Sequence, residues 1–347
     1  LLLSGWSGGG NLPANAIVTL SASGDTWLAH TAQDRTFDQN ALFIRRLSAP
    51  ALEAPAVPGA ARLDAMGRTP AASFLAATLP GYAGADWTRR IVWLPDIGFA
   101  VLDTVTAREA GRFLILANWR PNRYALDARF GGLGPETEGR LDGGRWIVRG
   151  AEREFVVVAA GPALQLVEDA DGRFQRTPVF RQRLTADLAA GASVTLASLL
   201  FVRPAGGVPD YPRGRRADGG LLARATGEPE RLYYLGPPLA GRDAGGAVWS
   251  VRTPDRTALF HGGPGRDGDP EAVRNAEEHA ADNRALLATL WAASRADEPV
   301  AADPAGGAGA FADLACPWRY TGLQQPGLIE GVRQVADNTW DLGVEIG

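Results

Sequence analysis

From Ala16 to about Pro204 the apolar residues fall in short runs of strand length, separated by Gly, Pro, Asp and Asn, with no helical period running across them. Examples are Ala16-Ile17-Val18-Thr19-Leu20, Arg112-Phe113-Leu114-Ile115-Leu116-Ala117, Trp146-Ile147-Val148, Glu154-Phe155-Val156-Val157-Val158 and Ser193-Val194-Thr195-Leu196-Ala197-Ser198-Leu199-Leu200-Phe201. Some of these runs alternate and others are apolar throughout. These are the patterns of strands buried on one face and on both. Asp142-Gly143 and Asp171-Gly172 suit the left-handed backbone of tight hairpin turns. The pattern predicts a mainly β chain, a large antiparallel β-sandwich whose sheets bury their apolar faces against one another.

Residues 1–205 read as the body of that sandwich. The stretch from Gly206 to Gly220, rich in Pro, Gly and Arg, reads as a linker or long loop. Strand-like runs return at Arg231-Leu232-Tyr233-Tyr234-Leu235 and Ala258-Leu259-Phe260, so residues 206–265 are expected to complete or extend the sandwich. One C-terminal α-helix is predicted within 266–297: Asp269 as N-cap, Pro270 at the first helical position, Glu271 in the first turn, and an apolar stripe of Val273, Ala276, Ala280, Leu287 and Trp291. Residues 298–347 read as a connector followed by the start of a further β-module, with Thr339-Trp340-Asp341-Leu342-Gly343 as one of its strands.

Composition narrows the functional classes. With 347 residues and 46% hydrophobic content, the chain can build a sizeable core. A formal net charge of −4 argues against binding nucleic acid, which needs a clustered basic surface. No lysine occurs, so all 35 basic residues are arginines. A Walker-type phosphate loop, a Schiff-base enzyme and a Ser-Lys nucleophile are therefore excluded. The single cysteine, Cys316, permits no internal disulfide. The chain opens Leu1-Leu2-Leu3 without Met, an apolar start too short for a signal peptide or a membrane span, and residue 1 reads as a truncation.

The most informative stretch is Ser7-Gly8-Gly9-Gly10-Asn11-Leu12-Pro13-Ala14-Asn15-Ala16-Ile17, a glycine-rich turn leading into an apolar strand. After it come Thr26-Trp27-Leu28-Ala29-His30 and Gln39-Asn40-Ala41-Leu42. Downstream are Gly84-Ala85-Asp86-Trp87-Thr88-Arg89-Arg90-Ile91-Val92-Trp93-Leu94 and Phe99-Ala100-Val101-Leu102-Asp103-Thr104-Val105-Thr106-Ala107. Together these segments resemble the C-terminal β-domain of the heparinase II/III-like polysaccharide lyases. In that family the first turn runs into His-x-His-x-Asp-x-Asn, a later strand ends in a metal-binding Asp, and two paired strands read W-x-R and V-x-D-x-V. If Asn15 is the final Asn, then Gly9, Asn11 and Pro13 stand at the His, His and Asp positions, and His30 stands at the Asp that ends the strand.

The resemblance implies a supersandwich-like β-domain, an upstream helical toroid as its partner within the full-length protein, and a periplasmic or extracellular setting. It also implies β-elimination at uronic acids, which needs a positioned base and neutralisation of the substrate carboxylate. Gly9 and Asn11 cannot act as bases, and Asn and Gln are poor zinc ligands. The family's catalytic Tyr belongs to the toroid, so none of Tyr82, Tyr124, Tyr211, Tyr233, Tyr234 or Tyr320 takes its role. The sequence thus assigns no catalytic residue, no metal ligand and no cofactor. It predicts a structural or carbohydrate-associated domain, non-catalytic by itself. The alternative is part of an active lyase whose catalytic residues lie upstream.

Asn11, Asn15, His30, Asn40, Trp87 and Arg89 are the carbohydrate-contact candidates. Exposed aromatics offer stacking platforms to a polysaccharide, and Arg and Asn offer hydrogen-bond forks. Trp6, Trp27, Trp93 and Trp119 are further aromatics available, with Arg120 and Arg123, although most of the tryptophans are expected in the core. Trp87 and Arg89, two apart in a predicted strand, share one face and form the best contact pair.

Other motifs dissolve on inspection. Gly5-Trp6-Ser7-Gly8-Gly9 matches G-x-S-x-G but precedes a loop and a strand, where a nucleophile elbow needs a helix. Gly263-Pro264-Gly265-Arg266-Asp267-Gly268 matches G-x-G-x-x-G, yet Asp267 and Asp269 would repel a pyrophosphate. Glu168-Asp169-Ala170-Asp171-Gly172 lacks the distal carboxylate of a calcium loop. His279, beside Glu277 and Glu278, reads as a solvated face of the helix, and His261 as the end of a strand.

Overall fold

The computed structural model describes residues 1–3, 14–29, 40–47, 56–95, 97–121, 139–142, 145–160, 164–168, 178–207, 211, 213–215, 220–226, 231–243, 246–261, 274–278, 283–296, 319–320, 332–336 and 339–342. At its centre is an eight-stranded antiparallel sheet. Its strands, in spatial order, are Gly139–Asp142 (β11), Arg145–Arg149 (β12), Arg153–Ala160 (β13), Ser193–Pro204 (β16), Gly98–Ala107 (β9), Ala85–Leu94 (β8), Ser73–Tyr82 (β7) and Arg62–Arg68 (β6). The apolar run of β13 is buried from Phe155 to Ala160 because the sheet is covered on both faces.

One face packs on a four-stranded sheet of Leu164–Glu168 (β14), Pro178–Leu188 (β15), Gly111–Trp119 (β10) and Leu42–Arg46 (β4), and on a three-stranded sheet of Leu2–Leu3 (β1), Ile17–Ala22 (β2) and Asp25–Ala29 (β3). Leu79, Trp87 and Val105 meet Phe43, Phe113 and Ile115 there. Alongside them Trp27 stacks on Phe155 at 5.8 Å and Trp146 on Phe180 at 4.0 Å.

The other face packs on a seven-stranded sheet: Arg274–Glu278 (β22), Thr257–His261 (β21), Trp249–Arg252 (β20), Arg231–Gly236 (β19), Leu221–Ala225 (β18), Arg213–Arg215 (β17) and Arg295–Ala296 (β23). Val92, Leu102, Val158 and Leu199 meet Tyr233, Val251 and Phe260 in this second core. Two small pairs stand apart from these sheets: Arg319–Tyr320 (β24) runs parallel to Ala56–Val57 (β5), and Val332–Ala336 (β25) is antiparallel to Thr339–Leu342 (β26). The mainly β, antiparallel sandwich read from the sequence is the observed architecture, with a single helix, Asn283–Ala293 (α1), among the described residues.

The helix itself needs correcting. It spans Asn283–Ala293, while residues 274–278, expected to be helical, form β22 on the edge of β21. Asp269, Pro270, Glu271, Val273, His279 and Ala280 lie outside the described residues. Pairing with an open sheet edge outweighs the weak helical preference of this stretch, as tertiary context commonly does. Leu287, with Leu290, is buried on the outer face of the seven-stranded sheet against Leu222 and Tyr234, and Trp291 packs beside them half-buried. The linker reading of 206–220 is likewise corrected at residues 213–215, which form β17.

Asn283 fastens the start of α1 to the β20–β21 hairpin. Its Nδ2 donates to the carbonyls of Thr253 (3.1 Å) and Arg256 (2.9 Å), and its Oδ1 accepts from Arg252 Nη1 at 3.1 Å. Asn283→Ala is expected to lower stability by about 1–3 kcal/mol, since it strands buried partners as well as removing bonds. Urea unfolding should show a lower midpoint at unchanged slope.

Candidate functional site

Strands alternate their side chains between faces, so Trp87 and Arg89 on β8 share one face, as the sequence predicts. That face is interior: Trp87 is 0% and Arg89 1% exposed. In the antiparallel pairing of β8 with β9, Arg89 lies directly opposite Asp103. The two make a fork-to-fork ion pair, with Arg89 Nε 2.7 Å from Asp103 Oδ1 and Nη2 2.9 Å from Oδ2. The indole Nε1 of Trp87 donates to Oδ1 as well, at 2.8 Å, so one carboxylate takes three donors. The guanidinium also lies over the Trp87 ring, 4.8 Å from its centroid, and 6.0 Å from that of buried Trp119.

The far nitrogen of Arg89 does a second job. Its Nη1 donates to the backbone carbonyls of Asn15 (2.8 Å) and Asn40 (2.9 Å). Asn15 ends the glycine-rich segment and Asn40 follows residues 30–39. A single buried cation therefore pins the chain at the exits of both motif-bearing segments. Asn15 has φ 68°, a left-handed conformation that asparagine tolerates better than most residues. Its Nδ2 bridges the carbonyls of Ala77 (3.0 Å) and Trp87 (3.2 Å). Asn40 Oδ1 accepts from the backbone N–H of Arg120 at 2.6 Å, and its carbonyl also takes the N–H of Ile17 at 2.9 Å.

Four of the six contact candidates, Asn15, Asn40, Trp87 and Arg89, thus gather at one point between the central and four-stranded sheets. Asn11 and His30 lie outside the described residues, as do Gly9, Pro13, Gln39, Trp6 and Arg123. Trp27 and Trp119 are core residues, while Trp93 is exposed at the end of β8. His261 ends β21, as expected. Sequence reasoning missed the ionic partner Asp103 as a site member. An acidic residue at mid-strand between apolar neighbours, opposite an arginine in a hairpin, was the available signal. It also missed buried Asn118, whose Oδ1 accepts from Arg181 Nε at 2.8 Å.

The chemistry of this set is that of holding. Amides and indoles do not exchange protons near neutral pH, and a guanidinium stays charged. The oxygens of Asp103 are filled by Arg89 and Trp87. Two amide atoms are left over: Asn15 Oδ1 and Asn40 Nδ2 are buried with no hydrogen-bond partner among the described residues. They form one acceptor and one donor, the complement of a hydroxyl group. Among the described residues no three His, Cys, Asp or Glu side chains come together as a metal site. No helix of the described chain is long and apolar enough to cross a membrane.

No family model matches the chain, and no curated protein matches it. Among solved structures it is similar to the heparan sulfate lyase HepC from Pedobacter heparinus, at 11% identity over 63% of this chain and 36% of that one, with a TM-score of 0.47. It is also similar to a heparinase III, at 10% identity over 77% of this chain and 36% of that one, with a TM-score of 0.43. The chain spans about a third of the length of these solved proteins.

Proposed function

We propose that this chain is a carbohydrate-associated β-sandwich part of a heparinase II/III-like protein, non-catalytic by itself, in which the Arg89–Asp103 clamp holds two segments that meet a polysaccharide. The observation that carries the reading is the pairing of that clamp with unused amide atoms. Arg89 fixes the backbone of Asn15 and Asn40, and beside it Asn15 Oδ1 and Asn40 Nδ2 lack partners. A buried polar atom without a partner costs about 1–3 kcal/mol, which a sugar hydroxyl reaching between the segments would recover. Asn11 and His30 are proposed as further contacts. The same clamp suits a holding role better than elimination, because its guanidinium and carboxylate are tied to each other and to the backbone.

The test is Asn40→Asp, which keeps the Oδ1 acceptor for Arg120 and replaces only the spare donor. Affinity for a panel of uronic-acid polymers, measured by retardation in native gels that contain them at a temperature where the variant is still folded, should fall about tenfold, and the buried carboxylate should lower the melting temperature as well. An unchanged affinity in the variant would remove the amides from the site, and a wild-type chain that binds none of the panel would end the carbohydrate reading.

A further inference from the structure

Arg89 and Arg90 are neighbours on β8 and so point to opposite faces of the central sheet. Arg89 is sealed inside, whereas Arg90 stands on the face that the seven-stranded sheet covers only in part. Beyond that cover the face is lined with hydroxyls. Thr78, Thr88, Thr104 and Thr195 lie directly opposite one another on β7, β8, β9 and β16, one row across four strands. They are tied in pairs, Thr78 to Thr88 at 2.7 Å and Thr104 to Thr195 at 3.0 Å. A hydroxyl has one donor and two acceptor positions, so Thr88, partly exposed and bonded to Thr78 alone among the described residues, keeps capacity at the middle of the row.

Arg90 borders this row. Its guanidinium lies 5.2 Å from the centroid of buried Trp249, and its Nη1 donates to Thr104 Oγ1 at 3.1 Å. That is its one hydrogen bond among the described residues, and the residue is partly exposed. Burial pushes the Arg90 pKa down, partly opposed by the charge of Asp64. Asp64 does not cap it, because its own oxygens take Arg62 Nε at 2.7 Å and the Thr78 hydroxyl. A partly desolvated guanidinium, held over an aromatic plane with donors to spare, is an anion seat.

We propose that this hydroxyl shelf is a second saccharide-binding surface, with Arg90 taking a carboxylate or sulfate group of an acidic sugar and the threonine row taking its hydroxyls. The proposal rests on the carbohydrate reading for the class of partner but on none of the residues of the first site. A polyphosphate is a poorer fit, since a nucleic acid needs many cations in a row and the shelf presents one open arginine beside Asp64.

The experiment titrates the chain with three oligosaccharides of equal length, one uronate, one sulfated and one neutral, and repeats this for Arg90→Met, Arg90→Lys and Thr104→Val. Wild type should bind the acidic oligosaccharides more tightly than the neutral one. Arg90→Met should weaken acidic binding about tenfold or more, the value of charge-assisted hydrogen bonds, and leave neutral binding close to wild type. Arg90→Lys, which keeps charge without the fork, should fall between, and it carries the test if the methionine variant does not fold. Preference for uronate or for sulfate names the anionic group. Wild-type acidic affinity in both Arg90 variants overturns the proposal without touching the first site. Weakening by Asn40→Asp with no effect of Arg90 does the same, and weakening by Arg90 alone leaves the shelf standing while the first site fails.

Discussion

Arg89→Met is expected to destabilise the fold by about 3–5 kcal/mol, because it leaves a buried carboxylate without its partner. Asp103 is 2% exposed and would keep only the Trp87 indole as a donor. The carbonyls of Asn15 and Asn40 would each lose a bond from the Nη1 nitrogen they share, so the damage should reach the chain at both residues. Removing both charges is a different matter. Replacing a buried ion pair with apolar side chains of similar volume is often close to neutral, so Arg89→Met with Asp103→Leu should recover much of the loss. Urea unfolding of the two single variants and the double one gives the coupling directly. A single-variant loss below about 1 kcal/mol would place the pair among weak surface bridges.

Gly98→Ala is the second large effect. Gly98 opens β9 with φ 141°, a conformation that L side chains rarely adopt. A Cβ there would sit 2.3 Å from the carbonyl oxygen of Leu200 and 3.1 Å from Phe201 Cα, both backbone atoms of the neighbouring β16. Neither atom can swing away as a side-chain tip would. Strand β9 must separate from β16 or twist, and the core residues of both go with it. A loss of about 3 kcal/mol or more is expected from strain and lost packing together. Gly191→Ala is the control: it has φ 80° with nothing within 4 Å, so it carries only the left-handed penalty of about 1–2 kcal/mol. Thermal melts of the two variants should separate them clearly, and equal losses would show that the close approach at Gly98 is relieved by a local shift.

Much of this architecture is legible in the sequence, for a physical reason. Runs such as 155–160 and 199–201 are apolar on both sides of the pleat, as a strand covered on both faces requires. The W-x-R and V-x-D runs pair as expected, with Arg89 set against Asp103. What the sequence hides is depth. Residues spaced two apart share a face whether that face meets solvent or core, so the pairing of Trp87 with Arg89 was readable and its burial was not. The helix start misled for a related reason. Caps and propensity describe residues 269–278 in isolation, while the open edge of β21 is a partner that becomes visible only in three dimensions. Asn15 and Asn40 are far apart along the chain, and their meeting at one guanidinium depends on three sheets closing together.

Under the proposed function the site holds a polysaccharide and does not cleave it. The most direct measurement is one titration of the chain with uronic-acid polymers in which bound fraction and the absorbance of unsaturated sugar are recorded together. The account predicts saturable binding with a flat absorbance. Rising absorbance during that titration, or no binding at any polymer concentration, would contradict it.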